Sequence, residues 1–435
     1  MTAEVAILNK LAVALAADSA VTVGQGGESK KVFNTADKLF ELSCKQPIAC
    51  MIFSGGQFLQ APLPVLIKDF RSKDPDADKV SDVATALLAH FQTFAEASPI
   101  EVKTRPIFDL TWQITDFLSD RLQEQVSQRF DQLGKPNPET GEPITPDKLL
   151  DAAWDATVKI LERIAAGWTE VSFLGSYPDP AQIRPLIEQA HAGANFQVPE
   201  AYQERVFTVI DNALRKATGF SSLTGVVVAG FGKKELFPTL VHIDLFEPVL
   251  GVVKYREIET VDIDRKGTKS RVMAFAQREM AERFLFGLDS ALKRKLSQFA
   301  KNTVSKIGET IIGGLTFSNE QEQSALAEAI RGAERSFIDE FDTSGMETVR
   351  RESQQAVEDM VEFMPKQDLA DFAEALVNLS SLQRRVTSGF ETVGGPIDVA
   401  VISKAEGLVW VKRKHYFPAE LNARFFNRLG GTAHA

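Results

Sequence analysis

Thr2 follows directly on Met1. A small second residue favours removal of Met1, and that would put a hydroxyl and a free α-amine on one residue. An unperturbed α-amine has a pKa of about 8. It can accept the hydroxyl proton, directly or through a water, leaving an activated nucleophile. Such a residue supplies nucleophile and base together and needs no histidine, which suits a chain holding only five. Position two alone does not separate this from a threonine that merely permits Met1 removal. Other chemistries have little support. No His/Cys spacing suits a metal site, so no metal or other cofactor is expected. No G-x-x-x-x-G-K-[ST] loop occurs, and GFGKKE at 230–235 reads as a hairpin turn.

The elements that must position such a residue begin with two apolar runs, 3–9 and 11–17, joined by Asn9-Lys10 as a turn. VTVGQGGESKK (21–31) is a Gly-rich loop, and DKLFEL (37–42) is a short alternating strand. PIACMIFSG (47–55) is almost continuously apolar, so it reads as a strand buried on both faces. It ends in Ser54-Gly55-Gly56, and a helical pattern follows through Phe58, Leu59, Val65 and Leu66. A second helix is expected over 80–98. Residues 105–220 are mostly helical in pattern, broken by a Pro- and Gly-rich loop at 133–148 and again around 175–180. Strand character returns in 222–232, 236–246 and 249–263. A long helical stretch is expected from about 273 to 388, with interruptions near 307–315 and 343–346. PIDVAVIS (396–403) and GLVWVKRKHYF (407–417) close the chain as a hairpin, with a helical tail fraying at its end. Strands and helices segregated in this way predict an α+β layered domain, two packed sheets with helices outside.

Composition narrows the class. With 435 residues, 44% hydrophobic and 25% charged, the chain can bury a full core without metal or disulfide staples. A net charge of −10 argues against nucleic acid and against an anionic membrane as partners. No run of about 18 uncharged apolar residues is present, so no transmembrane helix is expected. Glu4, Asn9 and Lys10 interrupt the apolar start and no basic stretch precedes it, so it belongs to the fold rather than to a signal peptide. Cys44 and Cys50 are expected as buried free thiols in a reducing cytoplasm.

The segment TAEVAILNKLAVALAADSAVT (2–22) resembles the start of mature proteasome β-subunits and of the bacterial peptidase HslV. The shared pattern is an N-terminal threonine, a strand, a turn, a second strand ending in Ala16-Ala17-Asp18, and Thr22 four residues on. DKLFELSCKQPIACMIFSGGQ resembles the family's lysine-led strand, turn and apolar strand ending in glycine. VVVAGFGKKELFPTLVHIDL resembles its middle hairpin, and GGPIDVAVISKAEGLVWV its closing one. Together these blocks cover about a third of the chain. The resemblance implies a four-layer αββα N-terminal nucleophile (Ntn) hydrolase sandwich, here with large helical insertions.

It also implies roles. Thr2 would be the nucleophile. Lys38 would sit beside its hydroxyl and stabilise the developing alkoxide. Lys31, in SKKV, is a competitor for that place; Lys38 is preferred because the two strands follow it at nearly the family spacing. Asp18 would pair with and orient the lysine. Gly55 would offer its backbone N–H to the oxyanion. Thr22 would pair through its backbone with an extended peptide substrate. The chain departs from the family at Ala20, where an arginine is usual. It departs again at MAFAQREM (273–280), in place of a Gly-Ser-Gly-Ser motif. In FETVGG, Val393 takes a serine position and Glu391 lies one residue from an aspartate position.

The expected division is 1–104 for the first part of the hydrolase domain, 105–220 for a helical insertion, and 221–300 for the middle strands and helix. A second insertion covers 301–365, the last helix and closing hairpin 366–417, and a tail 418–435. The implied activity is a cytoplasmic threonine peptidase acting on peptide or protein substrates, assembled as a homo-oligomeric ring, with an ATPase partner conceivable by analogy only. The alternatives are a catalytically inactive scaffold or assembly protein of the same fold, and a small-molecule amidase.

Overall fold

The computed structural model describes residues 3–23, 31–136, 141–387, 395–415 and 417–424. Strands β1 (Ala3–Asn9) and β2 (Val13–Ala17) form the expected hairpin. The short strands β3 (Val21–Val23) and β4 (Lys31–Phe33) pair with each other. After β5 (Leu39–Glu41) and β6 (Ile48–Ser54), a miniature hairpin of β7 (Gln57–Phe58) and β8 (Ala61–Pro62) leads into α1 (Leu63–Ser72) and α2 (Val80–Ala97). A helical block follows: α3 (Ile100–Arg129), α4 (Pro146–Ala165), α5 (Pro180–Ala192) and α6 (Glu200–Arg215). Two-residue strands β9 (Thr169–Glu170), β10 (Ser172–Phe173) and β11 (Lys216–Ala217) trim that block. The long strands β12 (Leu223–Gly230), β13 (Thr239–Val249), β14 (Val252–Asp262) and β15 (Ser270–Ala276) come next. Then α7 (Glu279–Phe286), α8 (Ser290–Gly313), α9 (Glu320–Glu340), a π-helical turn at Phe341–Met346, α10 (Glu347–Val361) and α11 (Lys366–Thr387) precede β16 (Asp398–Ser403) and β17 (Gly407–Lys412).

Among the described residues the architecture is α+β with two large antiparallel sheets and three two-stranded ones. One large sheet runs β15-β1-β2-β16-β17 and the other β10-β14-β13-β12-β6-β5. Side-chain alternation along each strand sorts residues to opposite faces. On β1 and β2, Ala6, Leu8, Val13, Leu15 and Ala17 pack with Ala49, Met51, Val227 and Ala229 of the other sheet, forming a core between the sheets. The opposite faces meet helices. Val5, Ile7, Ala14 and Ala16 pack under Leu369, Ala373, Leu376 and Val377 of α11. Ile48, Cys50 and Ile52 of β6 pack under α1 and α2. The near-continuous apolarity of β6 is thereby explained, since both of its faces are covered. Leu63, Leu66, Ile67 and Phe70 of α1 are buried at the i, i+3, i+4, i+7 spacing of one helix face.

Three expectations need correction. The stretch 270–276 is not the start of a helix. Its Met, Ala and Phe residues are tolerated in helices, but it pairs with β1 from Ala3↔Ala276 to Asn9↔Ser270 and satisfies backbone groups that would otherwise form an open edge. Phe58 and Leu59 lie in the β7–β8 turn, where Leu59 and Gln60 take φ of 47° and 64°. Pro62 and Pro64 keep the helix from starting earlier than Leu63. Cys44 is exposed; Cys50 is buried, and burial pushes its thiol far above the usual range. After Phe417 a 3₁₀ turn at Ala419–Leu421 is followed by helical backbone at Ala423–Arg424, where the described residues end.

The helical block has its own core of Ile107, Ile114, Trp154, Val158, Ile187, Phe207 and Ile210, with Val249 of β13 beneath it. The arm of α8 and α9 does not: α9 has no buried residue and α8 only Gly308. Both helices are nevertheless well capped. Asp289 accepts N–H bonds from Ala291 and Leu292 at 2.7 and 2.8 Å, and Asn319 accepts one from Glu322 at 2.8 Å. Among the described residues no helix is long and apolar enough to cross a membrane.

Candidate functional site

The site is built where β1 begins. Even-numbered residues of β1 face the space between the sheets, so Glu4 points inward with Ala6 and Leu8. Where β2 ends the chain turns at Asp18, and this corner is closed reciprocally. Ala3 donates its N–H to Asp18 Oδ1 at 3.2 Å, and Asp18 donates its own N–H to the Ala3 carbonyl at 3.1 Å. Lys38 arrives from the other sheet. It precedes β5, and its carbonyl accepts the Ile52 N–H at 2.9 Å, which fixes its backbone on β6. Its ammonium lies 2.5 Å from Asp18 Oδ1 and 3.4 Å from Glu4 Oε1.

All three charged residues are buried, Lys38 at 5% exposure and both carboxylates at 1%. Burying charges costs several kcal/mol per ion, and their attraction offsets this only with good geometry, so such a cluster is a poor stability device. It bridges the two sheets, with one ammonium between two carboxylates. Loop contacts hold its surroundings. Ser19 donates its hydroxyl to the Pro396 carbonyl at 2.6 Å, and Ala36 donates its N–H to the Ser19 carbonyl at 3.0 Å. Gly395, at φ 78°, approaches Asn34 so closely that a Cβ would lie 2.7 Å from the Asn34 carbonyl oxygen.

Lys38 and Gly55 line one cleft of about 940 Å³, together with Phe33, Thr35, Phe53 and Thr224. Gly55 follows Ser54, whose φ is 67°. A Cβ on Gly55 would lie 2.1 Å from Thr224 Oγ1, so only glycine fits this crossing of β6 and β12. Thr22 sits on β3, paired with Val32, and its neighbour Val21 lines the cleft.

Among the residues singled out from sequence, Asp18 and Lys38 are thus in direct contact, Gly55 shares the cleft with Lys38, and Thr22 stands on a strand at its rim. Lys31 opens β4. Ala20 is buried. Thr2, Glu391 and Val393 lie outside the described residues. Sequence reasoning missed Glu4 as a member of the charged cluster. The signal was available: a single carboxylate inside the otherwise apolar strand AEVAILN, which must either be exposed or meet a cation.

No protein-family model matches the chain, and no curated protein does either. Among solved structures it is similar to the Anbu (Gly-1) mutant from Hyphomicrobium sp. strain MC1. The match has 10% identity, covers 99% of this chain and 96% of that one, and has a TM-score of 0.26. So loose a superposition carries no argument about fold or activity.

Proposed function

We propose that this chain is a threonine hydrolase of the proteasome β-subunit type, cleaving amide bonds through an acyl-enzyme on Thr2 once Met1 is removed. The observation that carries this is the shared acceptor at Asp18: the N–H of Ala3, the residue bonded to Thr2, and the ammonium of Lys38 meet on one carboxylate oxygen. On this reading the layered sheets are an Ntn-hydrolase sandwich, and the α3–α6 block and the α8–α10 arm are its insertions.

The chemistry follows from the groups. The α-amine of Thr2 takes the hydroxyl proton as the oxygen attacks the substrate carbonyl. The Lys38 ammonium stabilises the forming alkoxide, and Asp18 holds that ammonium in place. The Gly55 N–H receives the oxyanion of the tetrahedral intermediate. The intermediate collapses, the C–N bond breaks, and the leaving amine takes its proton from the α-ammonium. Water, deprotonated by the same amine, then hydrolyses the ester and restores the hydroxyl. Peptides are the substrate class, and a homo-oligomer is the assembled form.

A second reading, an inactive scaffold of the same fold, is favoured by one observation: Glu4 stands 3.4 Å from Lys38 and competes with an alkoxide for its charge. One experiment separates the two. An epoxyketone or boronate probe is applied to the purified chain and intact mass is measured. The hydrolase requires loss of Met1 and an adduct on Thr2 that Thr2→Ala abolishes. Retained Met1, or no adduct, leaves the scaffold.

A further inference from the structure

The second cavity that adjoins this cleft was made by the helical block. It holds about 400 Å³ between α3, the segment after α6, the β7–β8 turn and the β13–β14 hairpin. That is within the range of small-ligand sites. Gln57, Ser222 and Glu247 line both it and the cleft, so the two are contiguous.

Its inner wall carries Lys254, 2% exposed. One N–H goes to the Ala213 carbonyl at 3.1 Å, and the ammonium stands 5.4 Å from the Phe246 ring centroid. Among the described residues no carboxylate forms an ion pair with it. Burial alone accounts for its lowered pKa, about 7. A buried cation without an anion is costly, and an anionic ligand would offset that cost.

The remaining charges define which anion. On α3, Asp109 is taken by Arg105 at 2.8 Å, and Asp116 is exposed at the rim. On β13, Glu247 has its carboxyl pushed up to about 7 by burial, against the Leu59 N–H that it accepts, with Asp109 adding to the rise. With Arg105 and Asp109 neutralising each other, one cation, Lys254, faces two carboxyl groups, Asp116 and Glu247, which suits a singly charged group. A phosphate would bring two charges against Asp116 and Glu247.

We infer that this cavity binds a carboxylate, with Lys254 as its counter-ion. That the carboxylate belongs to a peptide lying in the adjoining cleft, as an acidic side chain or a C-terminus, rests on the hydrolase reading; the binding itself does not. Bound carboxylate favours protonated Lys254 and protonated Glu247, so binding takes up protons and weakens as pH rises through neutrality.

Butyrate is the probe and butyramide the neutral control, titrated by calorimetry into the full-length chain. Saturable butyrate binding is expected, at least about tenfold weaker at pH 8.5 than at pH 6 and at least about tenfold weaker in Lys254→Met, with no butyramide binding. Equal affinity in Lys254→Met, tighter binding at high pH, or no saturation overturns the site. Reductive methylation of the wild-type chain, mapped by mass spectrometry, needs no variant: butyrate must protect Lys254, and unchanged modification also overturns it. The two ideas fail separately. Butyrate binding without Thr2 labelling removes only the hydrolase, and Thr2 labelling without butyrate binding removes only the subsite.

Discussion

Lys38 and Ala3 belong to different sheets yet donate to the same atom, Asp18 Oδ1, at 2.5 and 3.2 Å. Asp18 therefore joins the start of β1 to the facing sheet, and its charge does two separable jobs: it satisfies a buried ammonium and it sets where that ammonium stands.

Asp18→Asn keeps the shape and removes the charge. It leaves Lys38 with Glu4 alone, and breaking a buried pair costs about 3–5 kcal/mol. Urea denaturation should register that loss, and labelling of Thr2 should fall by about 100-fold. The double variant Asp18→Asn with Lys38→Met removes the stranded cation, so stability should recover while labelling stays lost. Recovery of both would show the pair to be structural only.

Gly55 is constrained by Thr224 rather than by its own φ. Gly55→Ala places a Cβ 2.1 Å from Thr224 Oγ1. Relief by moving β6 against β12 should cost about 1–3 kcal/mol, as overpacking generally does. Adding Thr224→Ala removes the clashing oxygen and should restore most of the melting temperature. If Gly55→Ala melts like the wild type, β6 and β12 part easily enough at this crossing to admit a Cβ.

Glu247 and Lys254 give opposite pH dependences. The Glu247 carboxyl is raised from 4.5 to about 7 on folding. Its favourable contribution is complete below the unfolded value and is lost as pH rises through the folded one. Lys254 is lowered from 10.5 to about 7, so its contribution is present at high pH and is lost as pH falls through neutrality. The two together depress stability most near pH 7. Glu247→Gln should therefore change little at pH 4 and gain relative to the wild type by pH 7, by on the order of 3 kcal/mol at most. Urea midpoints at pH 4, 5.5 and 7 measure this, and a constant offset between the two proteins would contradict it.

Much of this was legible in the chain because strands buried on one or both faces leave strong patterns. β1, β2, β6, β12 and β16 were all read from apolar runs, and Asp18, Lys38 and Gly55 from the resemblance of the blocks that carry them. β15 was not, because SRVMAFA has residues acceptable to a helix and its pairing with β1 spans the whole middle of the chain. Glu4 was seen only as a break in an apolar run, since nothing local shows that Lys38 lies across from it. The cavity around Lys254 was invisible for the same reason: α3, β7 and β14 are distant in sequence and meet only in the fold.

The arm tests the expected self-association. Leu296, Phe299, Ile307 and Ile311 of α8 fall on one stripe and stay exposed, Phe299 at 70%. Two capped helices that bury almost nothing need a partner for that stripe. Charge suggests a second copy: α8 carries Lys293, Arg294, Lys295, Lys301 and Lys306, while α9 carries Glu320, Glu322, Glu328, Glu334 and Asp339. Basic and acidic helices on one arm are complementary to the same arm turned through a two-fold axis. Light scattering should give a mass of at least two chains, reduced by Phe299→Glu with Ile307→Glu, while the melting temperature of the sheet core is unchanged. A single-chain mass at every concentration, or an assembly indifferent to both substitutions, would remove the arm from the interface.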